Sequence, residues 1–221
     1  MTSAQDNAQR MKEPQHVREA IESVMRAREA HRRLCAVSCE TLDSTRKEQR
    51  RARWIEAAAV VPKRAMRSLA ALKRSGCVKR VHTWLRSESW CLVMSGDPGC
   101  GKTVAAAYAC AHLGGCAWIS AAELMRMSMY DSGAWTQLAT CKLLVVDDLG
   151  SEFVDGPGSM LARLDGVLDD RYRREKKTLI TTNLSPSSFK QRYKERIADR
   201  VRDGGLFFIS SDKSMRGVKH G

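Results

Sequence analysis

Gly96-Asp97-Pro98-Gly99-Cys100-Gly101-Lys102-Thr103 is the stretch on which the fold turns. It follows the short apolar run Cys91–Ser95 and leads into Val104-Ala105-Ala106-Ala107-Tyr108, a good helix start. The spacing Gly-x-x-x-x-Gly-Lys-Thr lets the backbone wrap closely around phosphate oxygens with its N–H groups pointing inward, and the new helix adds its positive dipole end. Lys102 can reach β- and γ-phosphates as a point charge, and the Thr103 hydroxyl can ligate Mg²⁺. A strand before and a helix after are the context this pattern requires, so residues 96–103 are expected to hold ATP.

Downstream, apolar runs alternate with helical segments. The runs are Cys91–Ser95, Cys116–Ser120, Leu143–Asp147, Thr178–Thr182 and Leu206–Ile209. Five strands alternating with helices predict an α/β fold with a parallel sheet covered on both faces. Leu143-Leu144-Val145-Val146-Asp147-Asp148 would deliver two carboxylates at the C-terminal end of a buried strand, where ligands bind in such sheets. Asp147 is expected to hold Mg²⁺ together with Thr103, and Asp148 to orient and polarise the attacking water. Thr178–Thr182 would lie between the strand before the glycine loop and the strand of Asp147. Asn183 would then sit beside the γ-phosphate within reach of that water. Residues 195–203, a helical segment rich in arginine, end at Gly204-Gly205.

Upstream, residues 1–13 read as a polar tail without the apolar core of a signal peptide. Residues 15–59 contain neither glycine nor proline and carry a loose helical stripe, Val17, Ile21, Val24, Met25, Leu34 and Val37. The organisation predicted is a helical, partner-binding region at 1–59 and a nucleotide-binding domain at 60–221. The chain has 221 residues and a formal net charge of +13, which favours a polyanionic partner. The charge is uneven: residues 61–95 hold eight bases against the single acid Glu88, and Arg46–Arg53 is also strongly basic. No apolar run spans a bilayer, so no membrane role and a cytoplasmic location are expected. Eight cysteines, several inside apolar runs, read as small buried hydrophobes rather than bridges. His31, Cys35 and Cys39 share a helical stripe but lack a fourth ligand, and read as a plain helix face.

Val61-Pro62-Lys63-Arg64, the glycine loop, Trp118–Leu124, Asp147-Asp148-Leu149-Gly150-Ser151-Glu152, Thr181-Thr182-Asn183-Leu184 and Glu195-Arg196-Ile197-Ala198-Asp199-Arg200 occur in this order. Over about residues 60–217 the series resembles the AAA+ ATPases of the DnaC-type helicase loader and IstB-like group. The resemblance implies a P-loop core with strand order 5-1-4-3-2 and ATP hydrolysis. It implies that Arg200 is an arginine finger reaching a neighbouring subunit, and that Arg216 is a second sensor. Many AAA+ proteins carry Glu where Asp148 stands, so hydrolysis is expected to be slow. Homo-oligomeric assembly in the ATP state, binding of single-stranded DNA and delivery of a replicative helicase are implied too. The alternative is an IstB-like helper that assembles on DNA and recruits a transposase.

Overall fold

Five apolar runs form five strands: β1 (Cys91–Gly96), β2 (Cys116–Ser120), β3 (Leu143–Leu149), β4 (Lys177–Thr182) and β5 (Gly205–Ser210). All pair in parallel in the order β2-β3-β4-β1-β5, which is the order expected read from the other edge. The computed structural model describes residues 26, 29, 44–71, 75–128, 130–151 and 158–211. The chain divides into two units, residues 1–49 and 50–221. In the first unit residues 44–49 are helical. His31, Cys35, Cys39 and Arg216 lie outside the described residues.

In the second unit the helices are α1 (residues 50–60), α2 (Lys63–Ala71), α3 (Gly76–Trp84), α4 (Lys102–Leu113), α5 (Ala121–Arg126), α6 (Ser132–Thr140), α7 (Gly158–Arg173) and α8 (Pro186–Arg202). Their starts are chemically marked. The Ser75 hydroxyl accepts from the Val78 N–H, Asp131 accepts from Ala134, and Ser185 accepts from Ser188, with Pro186 opening α8. Ser120 and Glu123 form a reciprocal capping box at α5, and those hydrogen bonds hold the Glu123 carboxyl below its ordinary pKa.

The central strands β1, β3 and β4 are buried on both sides, because successive side chains point to opposite faces and helices cover each, while the edge strands β2 and β5 are only partly buried. Leu92, Met94, Leu143, Val145 and Leu179 pack with Ala57 of α1 and with α2, α3 and α4, around Val81 and Trp84. Val93, Leu144, Val146 and Ile180 pack on the other face with Leu124, Trp135, Leu164, Leu168, Phe189 and Ile197. Each such side chain contributes roughly 1.5–3 kcal/mol on burial. Cys77, Cys91, Cys100 and Cys110 are buried free thiols, in keeping with their apolar surroundings. Trp84 is wholly buried, whereas Trp54 is partly exposed. Among the described residues, no helix is long and apolar enough to cross a membrane.

Candidate functional site

The parallel sheet brings the C-terminal ends of β1, β3 and β4 to one edge, and the loops there build the site. The loop after β1 runs through Gly96, Gly99 and Gly101 at positive φ, and Gly101 is the left-handed N-cap of α4 with no side-chain cap bond. The first N–H groups of α4 are therefore left for a ligand rather than a side chain. At Gly96 a Cβ would come within 2.9 Å of the Ser210 carbonyl, so the β1–β5 edge admits only glycine at that turn. Ser95 Oγ donates to the Leu184 carbonyl at 2.6 Å, which ties the end of β1 to the loop after β4.

Lys102 is the first residue of α4 and is buried. Its Nζ donates to the carbonyls of Gly96 at 2.6 Å and Asp97 at 3.0 Å, and to Asn183 Oδ1 at 3.0 Å. Asn183 Nδ2 donates in turn to Asp148 Oδ1 at 3.1 Å. Asp147 Oδ1 accepts from the Thr181 hydroxyl at 2.6 Å and from the Thr103 hydroxyl at 3.1 Å. Thr181 Oγ1 also accepts from the Asp148 N–H at 2.8 Å. One network thus links Lys102, Asn183 and Asp148; in a second, Asp147 takes the Thr103 hydroxyl directly and is joined through Thr181 to the Asp148 N–H.

The two carboxylates sit in different surroundings. Asp147 is buried, and desolvation raises its pKa, opposed by the hydrogen bonds from Thr181 and Thr103; the charge of Asp148 adds to the rise and that of Lys102 opposes it. Asp148 is exposed and has φ of 58°, a left-handed conformation in which aspartate is among the favoured non-glycine residues.

These residues line one cavity of about 720 Å³. Pro98, Gly99, Gly101, Lys102 and Thr103 form its floor, and Asp147, Asp148, Thr181 and Asn183 one wall. The volume suits a nucleotide-sized ligand. Thr103 and Asp147 offer two adjacent hard oxygen donors, the chemistry Mg²⁺ prefers. Asp97 and Cys100 belong to the loop without lining the cavity; Cys100 is buried.

Two contributions escape the sequence. Pro62 and, from α2, Arg64, Ala65 and Ser68 also line the cavity. The Val61–Arg64 segment carries only a resemblance, and nothing local to it announces a cavity wall. Thr181 bridges the two aspartates, a role its strand neighbours could have suggested, since β4 pairs with β3 next to Asp147. Arg200 is not brought to this cavity. Its guanidinium pairs with Asp165 and Asp169 of α7, the latter at 2.9 Å.

No protein-family model matches the chain, and no curated protein matches its sequence. Solved structures do match its fold. The crystal structure of the DnaC helicase loader matches with a TM-score of 0.55 at 21% identity, over 67% of this chain and 99% of that one. The crystal structure of DnaI matches with a TM-score of 0.54 at 19% identity, over 66% and 87%. Domain III of the Thermotoga maritima replication initiation protein DnaA matches with a TM-score of 0.50 at 17% identity, over 62% of each chain. With this strand order, and a phosphate-type loop between β1 and α4, the chain has the AAA+ P-loop fold that these structures share.

Proposed function

We propose that the chain is an ATPase of DNA replication that binds ATP and single-stranded DNA and delivers a replicative helicase. One observation carries the ATPase reading: Lys102, Thr103, Asp147, Asp148 and Asn183, drawn from three strand ends, converge on one nucleotide-sized cavity. ATP is the substrate. The N–H groups of Gly99, Gly101, Lys102 and Thr103, which line the cavity, and the Lys102 ammonium hold its β- and γ-phosphates. Thr103 and Asp147 would hold Mg²⁺, which would supply charge neutralisation for the phosphates. Asp148, exposed at the cavity wall, accepts a proton from the water that attacks the γ-phosphorus. Asn183, hydrogen-bonded to both Asp148 and Lys102, aligns that water and registers the γ-phosphate. Arg200 acts on the cavity of a neighbouring copy.

The helicase-loading part draws support from the likeness in fold to a helicase loader, and from the basic charge, which suits a nucleic-acid partner. Purified protein is expected to hydrolyse ATP, and Lys102→Ala to lose nucleotide binding or turnover. Single-stranded DNA is expected to bind more tightly with a non-hydrolysable ATP analogue than without nucleotide, and more weakly as salt rises. Normal turnover by Lys102→Ala would remove the site assignment. Salt-insensitive, nucleotide-independent DNA affinity would remove the loader reading.

A further inference from the structure

Away from the cavity, α3 and α4 bring three rings together at the surface. His82, Tyr108 and His112 lie with centroids 5.5–6.4 Å apart, Tyr108 and His112 stacked at 25°. His112 is exposed, and His82 and Tyr108 are half-buried. Nine residues of helix, about 13 Å, separate His112 from Thr103, so this is not the nucleotide site. Partial burial first, then the charges of His82, Arg53, Arg86 and Arg50, lower the pKa of His112 and favour its neutral ring.

The cations here fall into two groups. Arg53 donates to the His112 carbonyl at 2.7 Å and Lys142 to the Leu113 carbonyl at 3.4 Å, which satisfies the C-terminal end of α4. Helix capping explains those two. It does not explain Arg50 and Arg86, which are exposed and form no ion pair with a described residue. The acid at hand, Glu56, is engaged with the Gly115 N–H at 3.2 Å. A ring stack that reaches the surface through His112, flanked by arginines that pair with no described carboxylate, is the combination that takes a base on its face and a phosphate at its edge.

We infer that the α1–α3–α4 face, with the Tyr108–His112 ring stack flanked by Arg50 and Arg86, is a binding surface for single-stranded nucleic acid. This rests on the proposed DNA-binding reading and assigns it a location. A duplex keeps its bases stacked inside and would use the arginines alone, so the rings make the surface a single-strand reader.

The test measures binding of a fluorescein-labelled oligothymidylate to full-length protein with a non-hydrolysable ATP analogue. Arg50→Ala combined with Arg86→Ala is expected to flatten the slope of log K against log salt by roughly 1.4, about 0.7 for each single-strand phosphate that is no longer neutralised. His112→Ala is expected to weaken binding roughly tenfold, the order of one base stack. Unfolding midpoints check that each variant is folded. Photocrosslinking through 5-iododeoxyuridine, which needs no variant, is expected to label the peptide holding Tyr108 and His112. Wild-type binding that all three substitutions leave unchanged, with crosslinks confined to other peptides, overturns the location and leaves the loader reading standing. Absence of any single-strand binding by the wild type overturns both. Binding of polyglutamate through the same arginines, with no affinity for nucleic acid, makes the face a docking site for an acidic protein and overturns the inference.

Discussion

Asp148 shows how much a single position can be constrained. Left-handed backbone costs most L-residues about 1–2 kcal/mol, and aspartate and asparagine are the usual exceptions. With φ of 58° at this residue, the shorter acid is the one the turn accepts without strain. Asp148→Glu is therefore expected to lower stability by about 1 kcal/mol, read as a fall in the denaturant midpoint. Asp148→Asn keeps the backbone and an oxygen for Asn183, so ATP affinity should hold while turnover drops by a factor of about 100 or more. Asp147 behaves differently because burial raises its pKa. The folded protein then binds that proton more tightly than the unfolded chain does. Stability is lost as pH rises from the ordinary carboxylate range through the raised value, and the loss is complete above it. Asp147→Asn removes this cost. Its unfolding midpoint should exceed that of the wild type at neutral pH, with the gap closing as the medium is acidified. A gap independent of pH would show that burial does not strain the carboxyl.

At the scale of the elements, Arg171 of α7 acts as a buried fastener. Its guanidinium donates to Thr178 Oγ1 at 2.8 Å, to the Leu138 and Cys141 carbonyls at 2.9 Å, and to the Lys177 carbonyl. It joins α7, the end of α6, the approach to β3 and the start of β4. Arg171→Met fills the volume but takes the guanidinium donors away from those oxygens, and is expected to cost about 2–3 kcal/mol in urea unfolding with ATP affinity retained. Nothing in Asp169-Asp170-Arg171-Tyr172-Arg173-Arg174 marks this arginine as buried, because on sequence it matches the solvated charges around it. The strands were legible for the opposite reason. Runs such as Leu143–Val146, apolar at every position, have no exposed face to occupy. The phosphate loop was legible because its glycines, lysine and threonine are contiguous. The cavity wall from Pro62 and α2 was not, since Pro62 and Arg64 come to line the same cavity as Asn183 only after the sheet has formed.

At the scale of the whole molecule, the question is what Arg200 does when it is held away from this chain's own cavity. Asp165 and Asp169 fix its guanidinium on the surface of α7, half-buried and in a defined direction. If it serves a neighbour, Arg200→Ala should bind ATP nearly as well as the wild type and hydrolyse it slowly. Mixing it with Lys102→Ala should restore part of the turnover, because some junctions then combine an intact cavity with an intact arginine. Full turnover by Arg200→Ala alone would place the trans-acting group elsewhere. The helix that carries Arg200 has a short tether. α8 passes through Asp203 and Gly204 directly into β5, and the Trp90 indole donates to the Asp203 carbonyl at 3.0 Å. From there β5 runs in register with β1, from Gly205 beside Cys91 to Ser210 beside Gly96. A push on Arg200 meets no slack loop in which to dissipate. It enters a stiff rod of about 20 Å whose far end abuts the phosphate loop, so a contact that presses on Arg200 from outside this chain would be felt as strain at that loop.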